Sequence, residues 1–114
     1  MNVQVFVNAG VCGFTTNAEA KCEDGQMVDF VIKSPCEKIQ VLAKAIKEAG
    51  PIDAFQEISP AGESVILSKT RATLKGCCAG CVVPIGLFKS LQVAAGLALP
   101  SDISISMKNM DASN

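Results

Sequence analysis

Residues 18–37 read AEAKCEDGQMVDFVIKSPCE, and the reading of this stretch decides the fold. Ala18, Ala20 and Cys22 alternate with charged residues, and Val28, Phe30 and Ile32 repeat the same two-residue period farther on. That period belongs to a strand with one buried face. Between the two runs stands Asp24-Gly25, a dipeptide suited to a two-residue type I′ hairpin turn, which needs positive φ at both central positions. The second run ends at Ser34-Pro35-Cys36-Glu37. These residues predict a capping box, with Ser34 as N-cap, Pro35 at the first helical position and Glu37 reaching back to the cap.

Upstream, Val3, Val5 and Val7 alternate with Gln4, Phe6 and Asn8 as a first strand, followed by the glycine-flanked loop Gly10-Val11-Cys12-Gly13. Downstream, Ile39, Leu42, Ala43 and Ile46 form the apolar stripe of a helix, with Lys38, Lys44, Lys47 and Glu48 on its solvated face, and Gly50-Pro51 stops it. Asp53 with Gln56 predicts a short helical turn. Residues 64–75 predict a further helix, and a last one runs from about Val82 to Leu97. Ile103, Ile105 and Met107 alternate with Ser104, Ser106 and Lys108 as a final strand. The expected fold is α+β: a three-stranded antiparallel meander, helices packed on one of its faces, and a C-terminal strand. One domain spans residues 1–108, and residues 109–114 form a loose tail.

Composition narrows the function classes. The chain has 114 residues, 49% hydrophobic and 18% charged, which suits a single compact domain. A net charge of -1, with Phe as the only aromatic residue, leaves neither a basic footprint nor a stacking platform for nucleic acid. The opening MNVQVFVNAG lacks the basic start and long apolar run of a signal peptide. Residues 82–100, VVPIGLFKSLQVAAGLALP, are interrupted by Pro84, Lys89 and Gln92 and read as a buried helix rather than a membrane span. A cytoplasmic location is expected, where disulfides are disfavoured. The chain has no histidine, hence no Ser-His or Cys-His pair and no imidazole ligand. Its glycines form no phosphate-binding loop. A self-sufficient enzyme is not the expectation.

Chemistry therefore rests on the six cysteines, three of them in residues 76–84, GCCAGCVVP. Pairing the hairpin outward from Asp24-Gly25 sets residue 13 opposite residue 36. Cys12 and Cys36 then share one end of the meander, and Cys22 lies ~30 Å away at the other. Cys36 falls in the first turn of one helix and Cys81 at the start of another, where free amides and the helix dipole favour a thiolate. The glycines around Cys12 let amides approach its sulfur. Cys12, Cys36 and Cys81 are the candidate ligands, with Cys77 as the fourth and Cys78 as its substitute. Cys22 reads as core packing. An all-thiolate set suits an iron–sulfur cluster first and zinc second. The expected role is cluster carriage, assembly or electron transfer to a partner protein. Two other readings stand beside it. In one, the chain is a thiol protein handling sulfur or disulfides, with Cys36 or Cys81 as nucleophile and Cys77 or Cys78 resolving it. In the other, it is an interaction domain whose cysteines only pack.

The segments GVCGF, SPCE and CVVPIGLFKSLQVAAGLALP resemble an uncharacterised family of small proteins from archaea and anaerobic bacteria, with the pattern G-x-C-G-F, S-x-C-E and C-x-V-P-x-G-x-x-K. That resemblance singles out Cys12, Cys36 and Cys81. The order of elements also resembles the NifU-type iron–sulfur scaffold proteins, which have a C-G pair in a loop between strands, a cysteine at the helix after the third strand, and a cysteine at the start of a later helix. The resemblance implies that Cys12, Cys36 and Cys81 hold a cluster or zinc. This chain departs from that pattern at Phe14, where the scaffold family has an acidic residue, and at Gly80, where it often has a histidine.

Overall fold

The alternation in residues 16–22 has a direct structural result: Thr16, Ala18, Ala20 and Cys22 are all buried, and the residues between them are exposed. The computed structural model describes residues 1–59 and 61–111. It contains strands β1 (Asn2–Asn8), β2 (Thr15–Cys22) and β3 (Met27–Lys33), then helix α1 (Glu37–Glu48). A two-residue strand β4 (Ile52–Asp53), helices α2 (Ala54–Glu57) and α3 (Val65–Thr73), a 3₁₀ turn (Gly76–Gly80) and helix α4 (Val83–Ala94) complete it. The strands form one antiparallel sheet in the order β1-β2-β3-β4. The fold is α+β as expected.

The register differs from the expected one by a residue. Cys22 pairs with Val28 and Asn17 with Lys33, where a two-residue turn would have set Cys22 against Met27. The reason is geometric. Residues directly opposite one another share a face of the sheet. The buried set Ala18, Ala20, Cys22 can face Val28, Phe30, Ile32 only if Cys22 meets Val28, and a one-residue slip would turn Val28 out to solvent. The turn accommodates this through Asp24, whose carboxylate accepts from the amides of Gln26 at 2.9 Å and Met27 at 2.8 Å. Those two bonds, Met27 first, hold the Asp24 carboxyl below its usual range. Gly25 supplies the positive φ, 75°.

One face of the sheet carries the helices. α4 lies over β1 and β2, α1 over β3, and α3 packs on both helices. α4 approaches β1 closely because residue 86 is glycine: a Cβ there would stand 2.7 Å from Val7 Cγ2. The core runs through Val28, Leu42, Ile46, Ile52, Ile66, Leu87 and Leu91, all almost fully buried. Burying each such side chain contributes about 1.5–3 kcal/mol. The stretch Gly76–Ala94 is apolar enough in composition to cross a membrane, yet Val83, Leu87, Leu91 and Ala94 within it are spent on this core.

Short segments are fixed by side chains. Asp53 caps α2 by accepting from Phe55 N, as the Asp53/Gln56 spacing implies. Glu57, 5% exposed, caps α3: its carboxylate accepts from Ser64 Oγ, Val65 N and Ile66 N at 2.6–2.9 Å. α4 ends at Ala94, three residues before the expected Leu97, where Gly96 turns with φ 79° and Leu97 N returns to Gln92 O.

Two expectations fail. α1 begins at Glu37 with Cys36 as N-cap, and Ser34 is not the cap. The Ser34 hydroxyl is engaged instead by Thr16 Oγ1 at 2.8 Å and the amide of Cys36 at 3.2 Å. The C-terminal strand is also absent: residues 97–111 contain no strand, and Ile103, Ile105 and Met107 are exposed. A two-residue period specifies a strand only where an edge accepts it, and β4 rather than this segment takes the free edge of β3. Of the expected tail, residues 109–111 are exposed without regular structure, and residues 112–114 lie outside the described residues.

Candidate functional site

At the end of the sheet away from the β2–β3 turn, three segments converge. The first is the β1–β2 loop. Gly10, φ 87°, and Gly13, φ 77°, shape a tight turn closed by Gly13 N donating to Gly10 O at 2.9 Å. That turn presents Cys12 at the surface. The second segment is the β3–α1 corner, where the Thr16–Ser34–Cys36 hydrogen bonds fix the N-cap residue Cys36 beside β2. The third is the 3₁₀ turn ahead of α4. Cys78 N donates to Lys75 O at 3.2 Å and Cys81 N to Cys78 O at 3.1 Å, so Cys78 and Cys81 fall on successive winds of one tight coil.

Between these segments lies an open cavity of about 360 Å³. Cys12, Cys36, Cys78 and Cys81 line it, with Phe14, Ile39, Leu74 and Val83 forming apolar walls and Glu37 and Lys38 at the α1 side. Cys77 does not line the cavity; it is exposed, next to Cys78. Cys22 lies at the opposite end of β2, buried in the core, with its sulfur 3.9 Å from Asp24 Oδ1. The structure thus brings Cys12, Cys36 and Cys81 to one cavity and sets Cys78 there in place of Cys77.

The electrostatics depart from the sequence reading. Cys36 stands at the N-cap of α1, yet its sulfur accepts no amide of the first turn. The Cys78 thiol is pushed above its ordinary value, chiefly by loss of water and then by the neighbouring Cys77, with Cys36 adding to the effect and Lys38 opposing it. Nor do the sulfurs form a ready-made coordination sphere: among the described residues no three Cys, Asp or Glu side chains are grouped closely enough to hold a metal ion. What the arrangement offers is a largely apolar recess with four free thiols around it.

The match of a protein family to residues 3–107 takes in every element of this site. The chain belongs to a family of unknown function (DUF6951). The DUF6951 region includes all six cysteines and both hydroxyls of the Thr16–Ser34 bond. No curated protein and no solved structure matches the chain.

Sequence reasoning missed the residues that shape the recess. Phe14, Leu74 and Val83 look like ordinary core residues in the sequence, and the pairing of Thr16 with Ser34 depends on the true register. Cys78 could be preferred to Cys77 only once the 3₁₀ turn was placed against the recess, which Cys78 lines and Cys77 does not.

Proposed function

We propose that this protein binds an iron–sulfur cluster through Cys12, Cys36, Cys78 and Cys81, and that it delivers the cluster or its electrons to a protein partner. The observation that carries this reading is the cavity of about 360 Å³ lined by four free thiols from three separate segments. A single zinc ion with Zn–S bonds of ~2.3 Å needs its sulfurs ~3.8 Å apart. No such grouping exists among the described residues. In a four-iron cluster each thiolate meets a different iron, so such a cluster suits sulfurs spread around a wider recess. The apolar walls limit water, which favours retention of a cluster. Each thiol must lose its proton on binding, and Lys38, which lines the recess next to Glu37, favours the thiolate of Cys78.

The resemblance to NifU-type scaffolds supports the same ligands, through the Cys12-Gly13 pair, the cysteine ahead of α1 and the cysteine ahead of α4. Phe14 and Gly80 depart from that pattern, and a fourth thiolate from Cys78 suits a cluster held for electron transfer better than one released to a client. The role belongs to a reducing, cytoplasmic setting in which the cysteines stay free. The test is iron and acid-labile sulfide analysis of protein made and purified without oxygen. The expected result is a brown protein with iron and sulfide in equal amounts. Colourless protein with one zinc would replace the cluster with a zinc site.

A second reading rests on the exposed Cys77 beside the half-buried Cys78. In a thiol-redox protein Cys77 would meet the substrate and Cys78 would resolve it. Metal-free protein in which Cys77 alone alkylates rapidly would favour this reading.

A further inference from the structure

The sheet has one long open edge. β4 covers part of β3, but nothing pairs with the outer side of β1 among the described residues. Which groups are free there follows from the β1–β2 ladder. Met1 and Cys22 exchange bonds in both directions, Met1 N to Cys22 O at 2.7 Å and Cys22 N to Met1 O at 3.2 Å. In an antiparallel ladder bonded and non-bonded pairs alternate. Val3, Val5 and Val7 therefore bond to β2, and Asn2, Gln4, Phe6 and Asn8 turn their amides and carbonyls outward. On the helix-bearing face Val3 and Val5 are only half-buried, although Val7 is buried. Edges of this kind are ordinarily paired, covered or guarded by charge.

The same chain carries a segment of matching form. Beyond Leu97, no hydrogen bond joins residues 98–111 to the body among the described residues, and the molecule measures 54 × 28 × 28 Å. Within this arm Ile103, Ile105 and Met107 are 52%, 65% and 90% exposed and alternate with Ser104, Ser106 and Lys108. The family match runs to residue 107, the last apolar position of the alternation. An arm that belongs to the domain, has strand periodicity and lies off its own body calls for a partner edge.

We propose that residues 102–108 of one copy pair with the outer edge of β1 in a second copy, and that the second arm does the same in return. Seven residues of arm then meet the seven residues of β1. Ile103, Ile105 and Met107 cover Val3 and Val5, and the serines and Lys108 face water. The exchange closes both free edges with two-fold symmetry. It does not depend on what the thiol recess holds.

Sedimentation of the full chain across the micromolar range, with amide hydrogen exchange, tests the proposal. The wild type should sediment at twice the mass of one chain. Gln4→Pro, which removes an outward amide while sparing the β2 ladder, should halve the sedimenting mass. Ile105→Asp, a change on the exposed arm, should do the same. Both variants should keep the wild-type circular dichroism; the amide of Phe6 in Gln4→Pro, and those of Gln4 and Phe6 in Ile105→Asp, should lose protection together with the alternate amides of residues 103–107. A wild type that remains monomeric overturns the proposal, whether its arm is exposed or protected on its own β1. A dimer that survives Ile105→Asp also overturns it, because another surface would then be responsible.

Discussion

The hydroxyl of Thr16 on β2, itself almost fully buried, donates to the hydroxyl of the half-buried Ser34 at the β3–α1 corner, 2.8 Å away. Ser34 also accepts the amide of Cys36, so one hydroxyl couples the start of β2 to the residue that brings a thiol to the recess. Thr16→Val keeps the shape and deletes the donor. It should lower stability by about 1 kcal/mol, the net worth of an ordinary hydrogen bond, read from urea denaturation. The same variant should retain less iron than wild type after anaerobic desalting, because the corner bearing Cys36 is no longer pinned.

Glu57 has no role in the recess but holds α3 in place. Three donors converge on its buried carboxylate. Glu57→Ala leaves the amides of Val65 and Ile66 without this acceptor and should cost on the order of 3 kcal/mol, measured by denaturant unfolding. Glu57→Gln should cost less, since an amide oxygen still accepts.

Gly86 sets how closely α4 lies on β1. Alanine at this position favours the helix but puts a methyl 2.7 Å from Val7 Cγ2. Overpacking of this kind costs about 1–3 kcal/mol, more than the ~1 kcal/mol that alanine gains over glycine in a helix. Gly86→Ala should therefore lower Tm, and the pair Gly86→Ala with Val7→Ala should recover part of the loss.

Cys78 gives the metal-free fold a pH signature. Its folded-state pKa lies above the ordinary 9.0, by desolvation first and by Cys77 second. A raised pKa contributes stability that is fully present below the unfolded value and is lost as pH rises through the folded value. Tm of the metal-free protein should fall above pH 9.0, and Cys78→Ser should flatten that fall. Cluster uptake runs the other way, because it displaces protons from the thiols: the iron–sulfur absorption gained on anaerobic reconstitution should rise with pH.

The meander was readable because its faces are written in the alternation of Ala18, Ala20 and Cys22 with Val28, Phe30 and Ile32. The same residues already contained the true register, since only an even pairing puts both sets on one face. Asp24-Gly25 suggests a shorter turn because the dipeptide does not reveal that the Asp24 side chain will bind two amides. Ser34 reads as a cap until Thr16 is placed opposite it, and that requires the register. Ile103, Ile105 and Met107 have strand periodicity, but periodicity does not supply an edge. β4 and the capping role of Glu57 leave no local signal, as both depend on neighbours distant in the chain. The hairpin pairing set Cys12 and Cys36 at one end of the sheet; Cys81 was marked only by its place before a helix and by the family resemblance, and its position, like the choice between Cys77 and Cys78, depends on how the chain returns to that end.

X-ray absorption at the iron edge, on protein prepared without oxygen, tests the central claim most directly. The account predicts a first shell of sulfur around each iron and a short iron–iron vector, both lost when Cys12, Cys36, Cys78 and Cys81 are replaced together by serine but kept in Cys22→Ser and Cys77→Ser. An iron-free protein, or iron surrounded by oxygen and nitrogen with no iron neighbour, would contradict it.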